Sequence, residues 1–248
     1  MLTRFSGGAL KELEVIRYRA GTSGFQDVST YDKVRYEGRA NEYKQDVMAA
    51  AYGELIGDLS GKRVLDVGCG TGRGVLDFAT RAAFAVGADA SLDMLSFAAS
   101  KARGRTPCNF SAAYAQQLPF RSEAFDMVIS LNFLHLFSLE TQQLMVAEMI
   151  RVVHSRGLLV LEFDNALHGL GLGLLKRWSG KERGSLPAEI RKVIGAGCSI
   201  ERVSGAVLPI IWRISSNFPR VFSPLEAITR KRLLNRIGHR VYYKLRKK

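Results

Sequence analysis

Residues 63–74, RVLDVGCGTGRG, constrain this chain more than any other stretch. Val64, Leu65 and Val67 around Asp66 read as a short buried parallel strand. Gly68, Gly70 and Gly72 follow at alternate positions, so the backbone can turn sharply at positive φ and a ligand can lie against it. A helix is expected from Arg73 to Arg81, with its free N–H groups and positive dipole end at the same crevice. Strand, glycine turn and helix together describe a nucleotide pocket.

The spacing narrows the nucleotide. A dinucleotide fingerprint needs G-x-G-x-x-G, but the third glycine position falls on Arg73, and no Gly-Lys-Ser/Thr ending makes a P-loop. What stands here is D-x-G-x-G-x-G, opening on Asp66. This resembles the first motif of the class I S-adenosylmethionine-dependent methyltransferases. A generic glycine turn of an α/β protein is the bland alternative, so the case rests on the segments that follow in order.

Phe84 to Ala88 reads as the second strand and ends in Asp89, 23 residues beyond Asp66. That is about where an acid closes a βαβ unit and accepts from both ribose hydroxyls. Asp89-Ala90-Ser91-Leu92-Asp93-Met94-Leu95 resembles the family's D-x-S-x-x-M-L segment, which implies Ala90 beside the cofactor and Met94 along the adenine edge. A helix (91–103) and a third strand (109–113) lead to Tyr114-Ala115-Gln116-Gln117-Leu118-Pro119-Phe120. The Leu-Pro-Phe is the family's, with Tyr114 where an acid is expected. The resemblance puts Ala115 and Gln116 at adenine. Tyr114 reads as a packed core aromatic, with stacking on the base or accepting through its hydroxyl as the alternatives.

Phe125 to Leu131 is the fourth strand and matches the family's F-D-x-V-x-S. Ser130, Asn132 and His135 then stand at the carboxyl edge of the sheet, where ligands of open α/β sheets bind. His135 is the one plausible general base there, with packing as its alternative role. A helix over 139–153 and a fifth strand over 158–163 extend the resemblance from residue 31 to 164. The family also implies N-terminal helices that cover the cofactor, which places Tyr31, Arg35 and Arg39 near its methionine end. The bland reading is an amphipathic surface helix with apolar positions from Val47 to Ile56.

Beyond Asp164 the motifs become generic. Residues 168–175 are glycine-rich and apolar, a candidate lid or packed connection. A helix over 186–197, a sixth strand over 199–207, an aromatic insertion over 209–224, a basic helix over 225–237 and a last, antiparallel strand over 240–246 are expected. Of a net charge of +13, residues 213–248 hold eleven Lys/Arg against the single acid Glu226. Such a tail suits an anionic membrane surface or nucleic acid, or is a solvated face. The apolar fraction of 47% fills a core, and no run of eighteen apolar residues spans a membrane. Cys69, Cys108 and Cys198 give neither zinc spacing nor a disulfide framework, and the N-terminus lacks a signal-peptide core, so a cytoplasmic chain with no metal is expected.

The sequence thus predicts a doubly wound α/β domain with a seven-stranded, mostly parallel sheet and an antiparallel last strand. Residues 1–59 form an arm and covering helices, 60–208 the cofactor-binding core, and 209–248 an insertion, basic helix and last strand. The resemblance implies S-adenosyl-L-methionine as cofactor, with the methionine part held by Asp66, Gly68, Cys69, Gly70 and Gly72. The expected reaction is methyl transfer to a small-molecule or lipid-like acceptor, with Asn132 and His135 at the transfer site. Alternatives are a cofactor-binding regulator without turnover and an RNA methyltransferase using the basic tail. No Asn-Pro-Pro-Tyr-type segment follows the fourth strand, which argues against base N-methylation. Oligomeric state is not legible.

Overall fold

Alternation along each strand decides which layer covers which face. In the computed structural model, residues 28–103, 107–168, 184–207, 224 and 238–248 are described. Two helices come first, α1 (Val28–Tyr36) and α2 (Arg39–Ile56). They replace the continuous pattern expected up to residue 59, because Gly38 at φ 92 breaks the helix between them. The Asn41 amide spans the joint by donating to the carbonyls of Val34 and Glu37.

Then come β1 (Arg63–Val67), α3 (Arg73–Ala79), β2 (Phe84–Asp89), α4 (Leu92–Ala102), β3 (Cys108–Ala112) and β4 (Phe125–Ser130). A 3₁₀ turn (Leu134–Leu136) leads to α5 (Leu139–Val152), β5 (Val153–Asp164), α6 (Pro187–Ile194), β6 (Cys198–Ala206) and β7 (Arg240–Lys247). The sheet order is β3-β2-β1-β4-β5-β7-β6, the first five strands parallel and β7 antiparallel to both neighbours. This is the expected seven-stranded sheet. β5 begins earlier than expected: Val153 pairs Phe125, the ladder slips, and Arg156 at φ 62 carries the irregularity before Leu158 rejoins it.

Odd and even strand positions build separate cores. Leu65, Val67, Val128, Leu159 and Leu161 pack with Met145, Met149 and Val152 of α5 and with Ile190 and Ile194 of α6. Val64, Ala85, Met127, Ile129, Val160 and Tyr242 pack with Met48 and Leu55 of α2 and with Val75 and Phe78 of α3. Near-continuous apolar runs such as Met127-Val128-Ile129 are needed because both faces are covered.

The basic C-terminus is built into this sheet where it is described. Arg246 pairs with Glu201, and Lys247 donates to the Val153 carbonyl at 2.8 Å and lies 3.4 Å from Glu123. The N-terminal arm (1–27), residues 169–175, the insertion apart from Pro224, and the basic helix fall outside the described residues. No described helix is long and apolar enough to cross a membrane.

Candidate functional site

The glycine turn is shaped by left-handed backbone at all three expected positions: Gly68 at φ 76, Gly70 at φ 51 and Gly72 at φ 75. Both Gly68 and Cys69 donate their N–H to the Ala88 carbonyl, at 2.8 and 3.2 Å, which folds the turn onto β2. A Cβ on Gly68 would stand 2.3 Å from the Phe133 ring, whereas one on Gly70 would meet nothing within 4 Å. One glycine thus lets an aromatic ring lie on the turn, and the next leaves an open face for a ligand.

Two acids flank that face. Asp89 takes the Gly70 N–H on one oxygen at 2.8 Å and the Ser91 N–H on the other at 2.9 Å. Each oxygen keeps lone-pair capacity for a ribose hydroxyl. Burial pushes its carboxyl above the usual range, against the pull of the backbone N–H groups of Ser91, Gly70 and Ala90. Asp66 is only 7% exposed, and burial followed by the charge of Asp89 raises its carboxyl to about 7. Its Oδ2 occupies the place where a Cβ on Gly74 would sit, at 2.6 Å. Gly74 is therefore part of the site, and its signal was a fourth glycine beyond the motif.

Beside Asp89 and the turn opens a cleft. Of the expected cofactor residues, Gly68, Asp89, Ala90, Ala115 and Gln116 line it. Phe133 and Phe137, their centroids 5.0 Å apart, and Met145 join them without having been expected. Tyr114 also lines the cleft and is 49% exposed, which overturns its reading as a packed core aromatic. Asp66, Gly70 and Gly72 lie outside the lining, in β1 and the turn. The Cys69 sulfur turns inward, 2.7 Å from the Cβ position of Gly87, and burial pushes its thiol up. Met94 caps into α4 through its N–H to the Ser91 hydroxyl and does not line the cleft.

Ser130 departs from expectation in the same way. It is fully buried and its hydroxyl donates to the Val67 carbonyl at 2.9 Å, so it ties β4 to β1 rather than facing a ligand. Tyr31 is half-buried edge-on against Tyr36, and Arg39 is exposed at the start of α2. The residues that fasten α1 over the turn are others. The Thr71 hydroxyl donates to Asp32 at 2.6 Å, Lys101 pairs with the other Asp32 oxygen at 2.7 Å, and Arg73 stacks on Tyr36 at 3.8 Å. Their partners are 37 to 69 residues apart, so spacing gave no signal.

At the far side of the edge, Asn132 leaves β4 at φ 55, a left-handed conformation that Asn tolerates better than most residues. His135 follows in the 3₁₀ turn, and its Nδ1 lies 3.3 Å from a terminal nitrogen of Arg240. That guanidinium is 3.0 Å from the wholly buried Glu162 and is ion-paired with Asp164. Burial, helped by Arg240 and Arg35 and opposed by Asp164, holds the His135 imidazole down to about 4.

Residues 64–157 match the family model described as a methyltransferase domain. A demethylmenaquinone methyltransferase of Renibacterium salmoninarum is 35% identical over 117 residues, covering 47% of either chain. An O-methyltransferase of Aspergillus nomiae is 29% identical over 134 residues, covering 52% of this chain and 59% of that protein. The chain thus spans about half the length of the curated relatives it matches. Magnesium protoporphyrin IX methyltransferase of Synechocystis, solved with S-adenosylhomocysteine, superimposes at TM-score 0.66 with 21% identity, covering 96% of this chain and 100% of that one. Residues 64–157 thus match a methyltransferase domain, and the described residues share the fold of a solved methyltransferase that binds S-adenosylhomocysteine.

Proposed function

We propose that the whole protein transfers a methyl group from S-adenosyl-L-methionine to a small organic acceptor. The observation that carries this reading is the cleft that gathers Asp89, Ala115 and Gln116 against the glycine turn at Gly68. The residues present fit the cofactor. Asp89 offers both oxygens to ribose, Tyr114 and Ala115 flank the place for adenine, and Asp66, buried without a donor, suits a nearby ammonium. Ala90, Gln116 and the turn Gly68 to Gly72 complete the cofactor set.

When bound, the cofactor supplies an electrophilic methyl carbon on a positively charged sulfur. The chain's own residues bind and orient the two reactants and exclude water, which is where most of the rate arises in such a displacement. α1, fastened through Asp32, covers the turn. Phe133 and Phe137 keep the floor apolar, and Asn132 and His135 present polar groups at the end of β4. A small-molecule acceptor accords with the quinone and O-methyl relatives. Arg240, Arg246 and Lys247 of β7 pair with acids of this chain, which lowers the charge that the described part of the C-terminus offers to an anionic membrane surface or nucleic acid.

Calorimetric titration with S-adenosylhomocysteine tests the reading. The intact protein should bind in the micromolar range, and Asp89→Ala should weaken binding by at least about tenfold, the worth of 1.4 kcal/mol. No binding by intact protein would sink it.

A further inference from the structure

The turn that brings Tyr114, Ala115 and Gln116 to the cleft is held at both ends. At its start the Ala113 N–H donates to the carbonyl of Asp89, at the end of β2, at 2.9 Å. The turn closes on itself through the Gln117 N–H, which donates to the Tyr114 carbonyl at 2.9 Å. Its far end is gripped by two side chains of α5. Glu148 takes the Leu118 N–H on Oε2 at 3.0 Å. The Arg151 guanidinium donates to the Leu118 carbonyl at 3.0 Å and to the Phe120 carbonyl at 2.8 Å. Glu148 and Arg151 also hold each other through two bonds of 2.8 Å. The main chain adds one more contact, since the Arg151 carbonyl accepts the Glu123 N–H at 3.0 Å.

This grip bears on the cleft because of what stands in the turn. Ala115 is 5% exposed and carries only a methyl group, so no change of rotamer can make up for a shift of its backbone. A ligand beside it is met where the main chain puts it. Leu118 is buried in the same core as Met145, and Met145 lines the cleft from a position three residues before Glu148 on α5. Residues three apart share a helix face. One face of α5 therefore supplies part of the cleft wall and the clamp on the turn, and fixes the two relative to each other. The clamp needs arginine. Its planar fork of five donors serves a carboxylate and two carbonyls at once, whereas a lysine ammonium is a point charge on a flexible stem.

We infer that Arg151, oriented by Glu148, positions residues 114–116 for the base of the cofactor and so sets the affinity of the site from behind the turn. The inference rests on the methyl-transfer reading above and deepens it. Neither side chain lines the cleft, so both are positioning residues that act through Leu118 and Phe120.

Calorimetric titration of the full chain with S-adenosylhomocysteine should show Arg151→Met binding at least about tenfold more weakly than the parent. Arg151→Lys should not recover the loss. Proton–nitrogen NMR spectra at saturating S-adenosylhomocysteine should show the Ala115 and Gln116 amides displaced from their parent positions. The Gly70 and Ser91 amides, which bond Asp89, should stay in place. Glu148→Met, which deletes the acceptor of the Leu118 N–H, should give the same pattern and carries the test where Arg151→Met does not fold. Parent-like affinity in both Met variants would overturn the inference, as would full recovery in Arg151→Lys. Shifts as large at Gly70 as at Ala115 would also overturn it, since they mark a general loosening of the fold. Failure of the parent itself to bind S-adenosylhomocysteine would instead remove the methyl-transfer reading, so the parent titration separates the two failures.

Discussion

The two ends of the carboxyl edge bury their acids in opposite ways. At the glycine turn, the buried Asp66 and the half-buried Asp89 have no cation among the charges of the described residues that act on them. Beyond β4, Glu162 and Asp164 are held with Arg240 between them. The first arrangement leaves desolvated charge without a counter-ion, a cost that is retained where a ligand relieves it. The second is neutralised by the chain itself and keeps its shape alone. The contrast separates a half that is completed on binding from a half that presents a finished surface.

Breaking the self-neutralised half should have the largest effect. Arg240→Met takes the guanidinium from the wholly buried Glu162 and the half-buried Asp164 and should cost about 3–5 kcal/mol in denaturant unfolding. Adding Glu162→Gln and Asp164→Asn should recover most of that loss. If the single variant unfolds like the parent, the pairing does not hold the edge.

The glycine-turn half should respond the other way. The raised Asp66 pKa means that the folded state keeps its proton. Its stabilising share is full below the unfolded value near 3.8 and is lost as pH rises through about 7. Asp66→Asn should therefore stabilise the ligand-free protein at pH 8 by about 2–4 kcal/mol. Thermal melts should show that gain vanish below pH 4, while affinity for S-adenosylhomocysteine falls.

His135 sharpens the contrast in the acid range. Its folded pKa is depressed, so the unfolded chain binds more protons between 6.5 and about 4, and stability falls as pH drops through that window. His135→Gln should remove about 2–3 kcal/mol of this acid dependence, seen as a flatter melting-temperature profile. The smallest effect belongs to the cover over the turn. Thr71→Val deletes the hydroxyl that Asp32 accepts and should cost about 1–2 kcal/mol, with faster amide exchange in α1 than in α3.

Much of the first half was legible because it is written locally. Gly68, Gly70 and Gly72 need positive φ at set intervals, and Asp89 follows from the length of one strand–helix–strand unit. The short apolar runs gave every strand within a residue or two at most ends. β5 was the exception, since its start depends on a pairing with Phe125. Ser130 and Cys69 misled for one reason: each stands at the carboxyl end of a strand, yet its side chain is buried against the sheet. The roles of Phe133 and Tyr114 were missed because burial against neighbours, not residue type, decides whether an aromatic fills a core or lines a cleft.

By itself, the sequence determined the strand–turn–helix unit, the order of layers and the acid that faces the cleft, since each depends on contacts a few residues apart. Only the tertiary structure decided which of many cations reaches Glu162 and Asp164, and so which group faces the His135 imidazole. Arg240 lies 105 residues from His135. Their meeting depends on β7 entering the sheet antiparallel between β5 and β6. No spacing rule carries that information, because a long connection leaves the register to packing of the whole sheet.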